Sequence, residues 1–193
     1  MRAIVSLFVV LLFSTPVWSA SFINGGFEDG TFNGWTKDGG VYYGDYVYDP
    51  YDGLHHYTGD PGKSAIVGTG MDYYSGNNLN MVYNGDYAAR INNYDDYFHF
   101  STISQTVNNW TDDHIYFEWA AVLQNPGHSY AGHFSLELTN ESTGTSLYSK
   151  SFDYYTAAGE VEGGWLDGVY GWKYSNWQIV DLDVSAYLGD DIS

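Results

Sequence analysis

The stretch HIYFEWAAVLQ (residues 114–124) has the most regular alternation of apolar and polar side chains in the chain. Tyr116 and Glu118 fall on one face of an extended strand. The opposite face is apolar and consists of Ile115, Phe117, Trp119, Ala121 and Leu123. Such strict alternation predicts a strand with one face in a hydrophobic core and the other in solvent.

Further segments show the same period and are separated by turns rich in Gly, Asn and Asp. They are residues 21–27, 63–68, 85–91, 97–107, 133–140, 145–155 and 176–189. In 133–140 the inward side chains are Phe134, Leu136 and Leu138, and 145–155 follows a turn as its hairpin partner.

In the last segment, Val180, Leu182 and Val184 share one face and Trp177 and Ile179 share the other. The strand pattern predicts that Trp119 and Trp177 both lie in the core.

Two long stretches, residues 37–62 and 156–175, lack a strand pattern and predict irregular loops of the kind that often carry function. No segment of helical length after residue 20 carries an amphipathic stripe. Residues 21–193 contain no composition shift that marks a boundary. The sequence therefore predicts one all-β domain, an antiparallel β-sandwich.

The first 20 residues predict a secretory signal peptide. Arg2 provides the positive start, residues 3–13 form a short apolar run, and small residues follow before position 21. We expect an exported protein, secreted or at the cell surface, with no membrane insertion once the signal is removed.

The composition restricts the possible partners. The formal net charge is −18, from 24 acidic and 6 basic side chains, so contact with nucleic acid or anionic lipid is unfavourable. The chain contains 20 tyrosines and no cysteine. An exported protein of this composition cannot use disulfides and depends on packing, or on a metal, for stability.

Two end motifs resemble those of galactose-binding-like jelly rolls, a group that includes carbohydrate-binding modules. They are INGGFEDGTFNGW (residues 23–35) and WQIVDLDVSAYLGDDI (residues 177–192). The middle, residues 76–93 and 100–124, resembles exported bacterial proteins that carry a PEP-CTERM sorting tail. The resemblance covers most of the chain after the leader.

This resemblance implies a jelly-roll sandwich whose head and tail are neighbours. We expect residues 24–28 to lie beside residues 178–183, pinned by Glu28. In such domains another strand follows the Y-x-G element, whereas this chain ends at Ser193. We therefore expect that the C-terminal strand is missing from the sequence.

The resemblance also implies a structural calcium ion. Similar domains hold it with the glutamate of the first motif, a nearby N-terminal carbonyl and an aspartate of the final strand. By match, Glu28 and Asn24 are the expected ligands, with Asp183 or Asp181 a weaker assignment. Calcium takes six to eight oxygen ligands of these types. The alternative is that residues 24–29 simply form a turn.

Aromatic residues in the long loops are candidates for sugar binding, because pyranose rings stack on aromatic faces while nearby polar groups fix their orientation. The second loop contains the main candidates: Trp165, Tyr170, Trp172, Tyr174 and Asp167. The first offers Tyr46, Tyr48, Tyr51 and Tyr57. Packing against the sandwich is the alternative for each ring.

Enzymatic chemistry has little support in the sequence. A glycosidase needs two facing carboxylates, and Glu118 and Glu137 are the available pair on neighbouring strand patterns. The sequence contains no G-x-S-x-G motif and no cysteine nucleophile. We expect a non-catalytic carbohydrate-binding module associated with extracellular polysaccharide. The alternatives are a structural cell-surface or biofilm-matrix protein that contacts matrix proteins and, third, a glycoside hydrolase or lyase.

Overall fold

The computed structural model describes residues 21–42, 56–60, 62–93, 99–125, 127, 132–155 and 161–193. The predicted signal peptide and Tyr46, Tyr48 and Tyr51 lie outside these residues, and only the backbone of Tyr57 is described. The strands are β1 Thr36–Tyr42, β2 His56–Thr58, β3 Ala65–Gly68, β4 Tyr87–Arg90, β5 His99–Ser104, β6 His114–Trp119, β7 Val122–Leu123, β8 His133–Asn140, β9 Thr145–Asp153, β10 Trp165–Asp167, β11 Lys173–Ser175 and β12 Gln178–Asp183. Short 3₁₀ turns occupy Val169–Gly171 and Ser185–Tyr187.

All strand pairs in the described residues are antiparallel, which confirms the predicted all-β class. Two sheets have three strands, in the orders β2-β1-β5 and β10-β11-β7. The pairs β12-β6, β3-β4 and β8-β9 complete the architecture. Several antiparallel sheets around shared cores are consistent with a β-sandwich, and the jelly-roll strand order stays a prediction.

The strongest sequence pattern has the predicted orientation. In β6, Ile115 and Trp119 are buried while Tyr116 and Glu118 are exposed. Along β12, Val180 and Leu182 turn inward. The two strands pair over six residues, from Gln178 opposite Trp119 to Asp183 opposite His114, so their apolar faces point to the same side.

Two core clusters lie along β6. Cluster 1 consists of Val107, Trp110, Ile115, Leu138, Val184 and Ile192. Cluster 2 consists of Trp119, Ala121, Leu123, Phe152 and Val161. Because β6 places Ile115 in the first and Trp119 in the second, this strand joins the two clusters into one scaffold.

The first predicted strand, residues 21–27, is wrong: residues 23–26 form a turn, and the other three residues are irregular. Asn24 and Phe27 have φ angles of 49° and 61°, in the left-handed region, which an extended strand does not contain. The Phe27 amide donates to the Asn24 carbonyl at 2.9 Å and closes a tight turn. The glycines and asparagine of this motif favour turns over a ladder.

Strands also occur in the two stretches predicted to be irregular loops. β1 contains two glycines, yet it pairs with β5 over six residues, from Thr36 opposite Ser104 to Val41 opposite His99. β10 and β11 form a hairpin within the second stretch. β11 also pairs with β7, so in both cases a partner elsewhere in the chain outweighs weak local strand propensity.

The head of the chain reaches the tail through Phe22 rather than Glu28. Phe22 packs against cluster 1, which contains Val184 and Ile192. Ile192 is fully buried and bridges Val107 on one side and Asn140 on the other. The expectation of a further closing strand stays a prediction.

Candidate functional site

The loop at residues 71–83 is a compact unit closed by a bridge between Met71 and Asn80. Ser75 is fully buried and organises its interior. Its hydroxyl donates to the Asp72 carbonyl at 2.8 Å and accepts the amides of Asn78 and Leu79 at 3.1 and 3.0 Å. These hydrogen bonds pair backbone N–H and C=O groups in a loop that does not form a β-ladder of its own.

This loop is seated on the hairpin formed by β10 and β11. The Val169 amide donates to the Tyr74 carbonyl at 3.0 Å. Directly beside it, a Cβ atom at Gly168 would lie 2.0 Å from the same carbonyl oxygen. The two backbones approach so closely that residue 168 has to be a glycine.

Four aromatic rings cover this junction, and we call them the aromatic platform: Tyr73, Tyr74, Tyr170 and Trp172. Trp172 stacks on Tyr74 with ring centroids 4.0 Å apart at 24°. Tyr73 and Tyr170 lie 6.2 Å apart at 39°, and their hydroxyls are 2.9 Å apart. Tyr73 is 54% exposed and Tyr170 is 75% exposed, so the loop and the hairpin together present two tyrosines to solvent.

The backbone of Tyr170 is strained. Its φ of 55° and ψ of 29° lie in the left-handed region, where a bulky side chain is unusual. Its hydrogen bond to Tyr73 raises the pKa of the Tyr73 phenol. Left-handed conformations of non-glycine residues occur preferentially at ligand and active sites.

A second aromatic pair borders the same loop. Tyr83 lies 5.8 Å from Trp177, and the Trp177 indole donates to the Asn80 carbonyl at 2.8 Å. Trp177 is only half-buried, so its expected place in the core is wrong. It precedes β12 in step with the exposed Ile179, opposite the inward face of Val180 and Leu182, and its indole covers the loop.

The structure distributes the predicted sugar-binding residues between the surface and the core. Tyr170 and Trp172 belong to the aromatic platform. Tyr174 is buried, and Trp165 packs edge-on against Phe152 in cluster 2, with ring centroids 5.0 Å apart. Asp167 is exposed at the end of β10. Their partners Tyr73 and Tyr74 are not among the predicted residues, and their signal in the sequence is a tyrosine pair within the glycine- and asparagine-rich residues 70–78.

The predicted calcium ligands Asn24 and Glu28 bond to other protein groups. The Asn24 amide donates to Asp29 at 2.8 Å and to the Thr31 carbonyl at 2.9 Å. Glu28 accepts the Asp86 amide at 3.0 and 3.2 Å and the Tyr87 amide at 3.3 Å. Glu28 thus fastens the N-terminal turn to the start of β4.

Asp183, the weaker ligand assignment, accepts the Ser185 amide at 2.9 Å, and hydrogen bonds to Ser185 hold the pKa of its carboxyl below the usual value. Asp181 bonds to His114 at 2.5 Å, which raises the pKa of the imidazole. Within the described ranges, no group of three or more His, Asp or Glu side chains is arranged to hold a metal ion. A calcium ion held by Asn24 and Glu28 stays a prediction.

Glu118 and Glu137 belong to different strand pairs. Glu118 lies opposite Ile179 in the β6–β12 pair, and Glu137 lies opposite Ser149 in the β8–β9 pair. They do not face each other across neighbouring strands, as the paired-carboxylate alternative requires.

Comparison with known proteins gives no match to a family model, to a curated protein or to a solved structure. The resemblance to galactose-binding-like and PEP-CTERM proteins therefore stays a prediction. Along the described part of the chain, no helix has the length and apolarity needed to cross a membrane.

Proposed function

We propose that this chain is an exported, non-catalytic module that binds polysaccharide through the aromatic platform. The observation that carries the proposal is the exposed Tyr73–Tyr170 pair, with Tyr74 packed edge-on against Tyr73 and Trp172 stacked on Tyr74. Aromatic rings held in place by packing bind sugar faces with little loss of side-chain entropy. Export rests on the predicted signal peptide.

The seating of the loop supports a binding role. Tyr73 and Tyr170 are 97 positions apart in the chain. The Val169–Tyr74 hydrogen bond and the contact at Gly168 fix their relative position before any ligand arrives. Such preorganisation lowers the entropic cost of binding.

Charge restricts the class of polysaccharide. The chain has a formal net charge of −18. Lys173 of the hairpin makes a cation–π contact, with its ammonium group 4.7 Å from the centre of the Tyr154 ring. A polymer rich in carboxylate or sulfate would be repelled over roughly a Debye length, about 8–10 Å in ordinary buffer. We therefore propose a neutral or amine-bearing polysaccharide.

Affinity gel electrophoresis tests the proposal with neutral, amine-bearing and acidic polysaccharides in separate gels. We expect a neutral or amine-bearing gel to retard the protein, and Tyr170→Ala and Trp172→Ala to abolish the retardation. Tyr116→Ala is the matched control, because Tyr116 is equally exposed but lies on the outer face of β6. Unfolding midpoints show whether each variant is folded.

Retardation that Tyr170→Ala leaves unchanged would contradict the platform as the contact surface. If no polysaccharide retards the parent protein, the matrix-protein alternative is favoured. Release of reducing ends from a retained polysaccharide would instead support a hydrolase or a lyase.

A further inference from the structure

The Tyr73–Tyr170 pair has a geometry that suits covalent coupling as well as ligand contact. The hydroxyl oxygens lie 2.9 Å apart and the ring centroids 6.2 Å apart, within the range of a direct aromatic contact. The ortho carbons are adjacent to the carbons that bear these hydroxyls. The hydroxyl-bearing ends of the two rings, which include the ortho carbons, are therefore next to each other.

We propose that Tyr73 and Tyr170 form an oxidative cross-linking site, which a one-electron oxidant of the haem peroxidase and hydrogen peroxide class converts into a dityrosine. This modification is independent of the proposed polysaccharide binding. It would give a chain without cysteine a covalent link between two distant segments.

The coupling is a two-electron oxidation of the tyrosine pair. Each phenol gives up one electron and its hydroxyl proton, and the two oxidations reduce one hydrogen peroxide to two waters. The two phenoxyl radicals join through their ortho carbons in a new carbon–carbon bond. Each ring then moves its ortho hydrogen to its oxygen and regains aromaticity. The product contains both hydroxyls and has lost two hydrogens overall.

Two features favour oxidative coupling of this pair, and the second favours it over coupling between molecules. Both rings are accessible to an oxidant, at 54% and 75% exposure. The hydrogen bond from the Val169 amide to the Tyr74 carbonyl and the Trp172–Tyr74 stack hold the 71–83 loop against the β10–β11 hairpin. The second tyrosine ring is therefore present at a high effective concentration when the first radical forms.

The expected consequence is a covalent cross-link between the 71–83 loop and the β10–β11 hairpin. The cross-linked residues are 97 positions apart, and a covalent link that closes a long loop removes much entropy from the unfolded chain. We expect the melting temperature to rise by several degrees after oxidation of the parent protein.

The test treats dilute protein with horseradish peroxidase and limiting hydrogen peroxide, without polysaccharide, followed by peptide mass mapping. We expect a monomeric product in which peptides containing Tyr73 and Tyr170 are joined with the loss of two hydrogens. Tyr73→Phe and Tyr170→Phe should each abolish this species and the accompanying rise in melting temperature. Tyr83→Phe and Tyr116→Phe are matched controls, since these exposed tyrosines contact Trp177 and His114 instead.

Cross-linked peptides that lack either residue, or a product composed of covalent dimers, would overturn the proposal. A dityrosine yield unchanged in Tyr170→Phe would also overturn it. Failure here leaves the retardation experiment unaffected, because that experiment uses unoxidised protein.

Discussion

The molecule contains two regions that use aromatic residues in different ways. In the strand-built region, formed by β6, β8, β9 and β12, the rings of Trp119, Phe134 and Phe152 stack inward with centroids 5.2–5.7 Å apart. In the loop-built region, formed by residues 21–35, residues 71–83 and the turn 168–172 between β10 and β11, the rings of Tyr73 and Tyr170 turn outward. Ring contacts at similar distances thus build a core in one place and a surface in the other.

The difference lies in how the backbone is held. The strand-built region combines antiparallel ladders with apolar burial, so its stability scales with buried area. The loop-built region depends on side-chain to backbone bonds, such as those of Ser75 and Glu28, and on a close contact at Gly168. Truncation of a buried side chain should therefore destabilise the strand-built region most. The loop-built region should be destabilised mainly by the loss of hydrogen bonds and by steric clashes.

The largest expected effect is in the strand-built region. Phe152 is 2% exposed and contacts the rings of Trp119, Phe134 and Trp165. Phe152→Ala should lower the free energy of unfolding by about 3–5 kcal/mol, because it removes apolar contacts and leaves a cavity. Urea unfolding measures the loss. The exposed Tyr116→Ala is the control, and a similar loss in both variants would contradict the assigned core.

The next largest effect is a steric clash where the 71–83 loop contacts the β10–β11 hairpin. The φ of Gly168 is −94°, which any residue adopts, so Gly168→Ala is unfavourable only because its Cβ meets the Tyr74 carbonyl. We expect a loss of about 1–3 kcal/mol, the usual cost of overpacking, together with weaker retardation on polysaccharide. Gly26→Ala is the control, because its Cβ would meet the Glu28 Cγ at an ordinary 3.6 Å. Equal stability and equal retardation of the two variants would contradict the close contact between Gly168 and the Tyr74 carbonyl.

A smaller effect should follow from loosening the N-terminal turn. Glu28→Gln removes the charge from the carboxylate that accepts the Asp86 and Tyr87 amides. Because these bonds are solvent-exposed, we expect a loss of about 1 kcal/mol, below the range for buried charged hydrogen bonds. Glu137→Gln, on the outer face of β8, should change the unfolding midpoint less. A midpoint unaffected by Glu28→Gln would show that the turn is held in another way.

Replacement of Tyr170 separates stability from binding. Tyr170→Gly relieves a left-handed conformation that costs roughly 1–2 kcal/mol for a side-chain-bearing residue, while it adds backbone entropy to the unfolded state. The free energy of unfolding should stay constant or rise slightly, while retardation on polysaccharide is lost. A clear drop in stability would instead assign Tyr170 a structural role.

The smallest effect concerns the outer face of the strand-built region. The hydrogen bond from His114 to Asp181 raises the pKa of the exposed imidazole above its ordinary 6.5. A raised pKa in the folded state stabilises the fold below the ordinary pKa, and this contribution disappears as pH rises through the folded value. His114→Gln should therefore cost more stability at about pH 6 than at about pH 9. Subtracting variant from parent at each pH removes the other titrating groups, and a pH-independent difference would contradict the ion pair.

Sequence reasoning succeeded where local periodicity determines structure. The alternation in β6, β8 and β12 placed Ile115, Trp119 and Val184 correctly, since a period of two assigns every second side chain to one face. The core assignment of Trp177 is wrong because β12 turns the face of Val180 and Leu182 inward, and Trp177 shares the opposite face with the exposed Ile179. The sequence also does not predict β1, whose strand depends on β5, about 60 residues away in the chain.

The candidate site was only partly predictable for a related reason. Tyr170 and Trp172 could be selected because they lie in an aromatic loop, but their partners Tyr73 and Tyr74 depend on a contact between residues about 95 positions apart. No local pattern encodes that contact. The conformational requirement at Gly168 likewise becomes visible only when the Tyr74 carbonyl is in place.

The most direct test of the different roles of the two regions is an NMR titration of the indole N–H signals, assigned by single Trp→Phe variants. An oligosaccharide fragment of the retained polysaccharide is added stepwise. We expect a saturable shift of the Trp172 signal and an unchanged Trp119 signal, since Trp119 is buried in cluster 2. A shift at Trp119 with none at Trp172 would contradict the assignment of the aromatic platform as the contact surface.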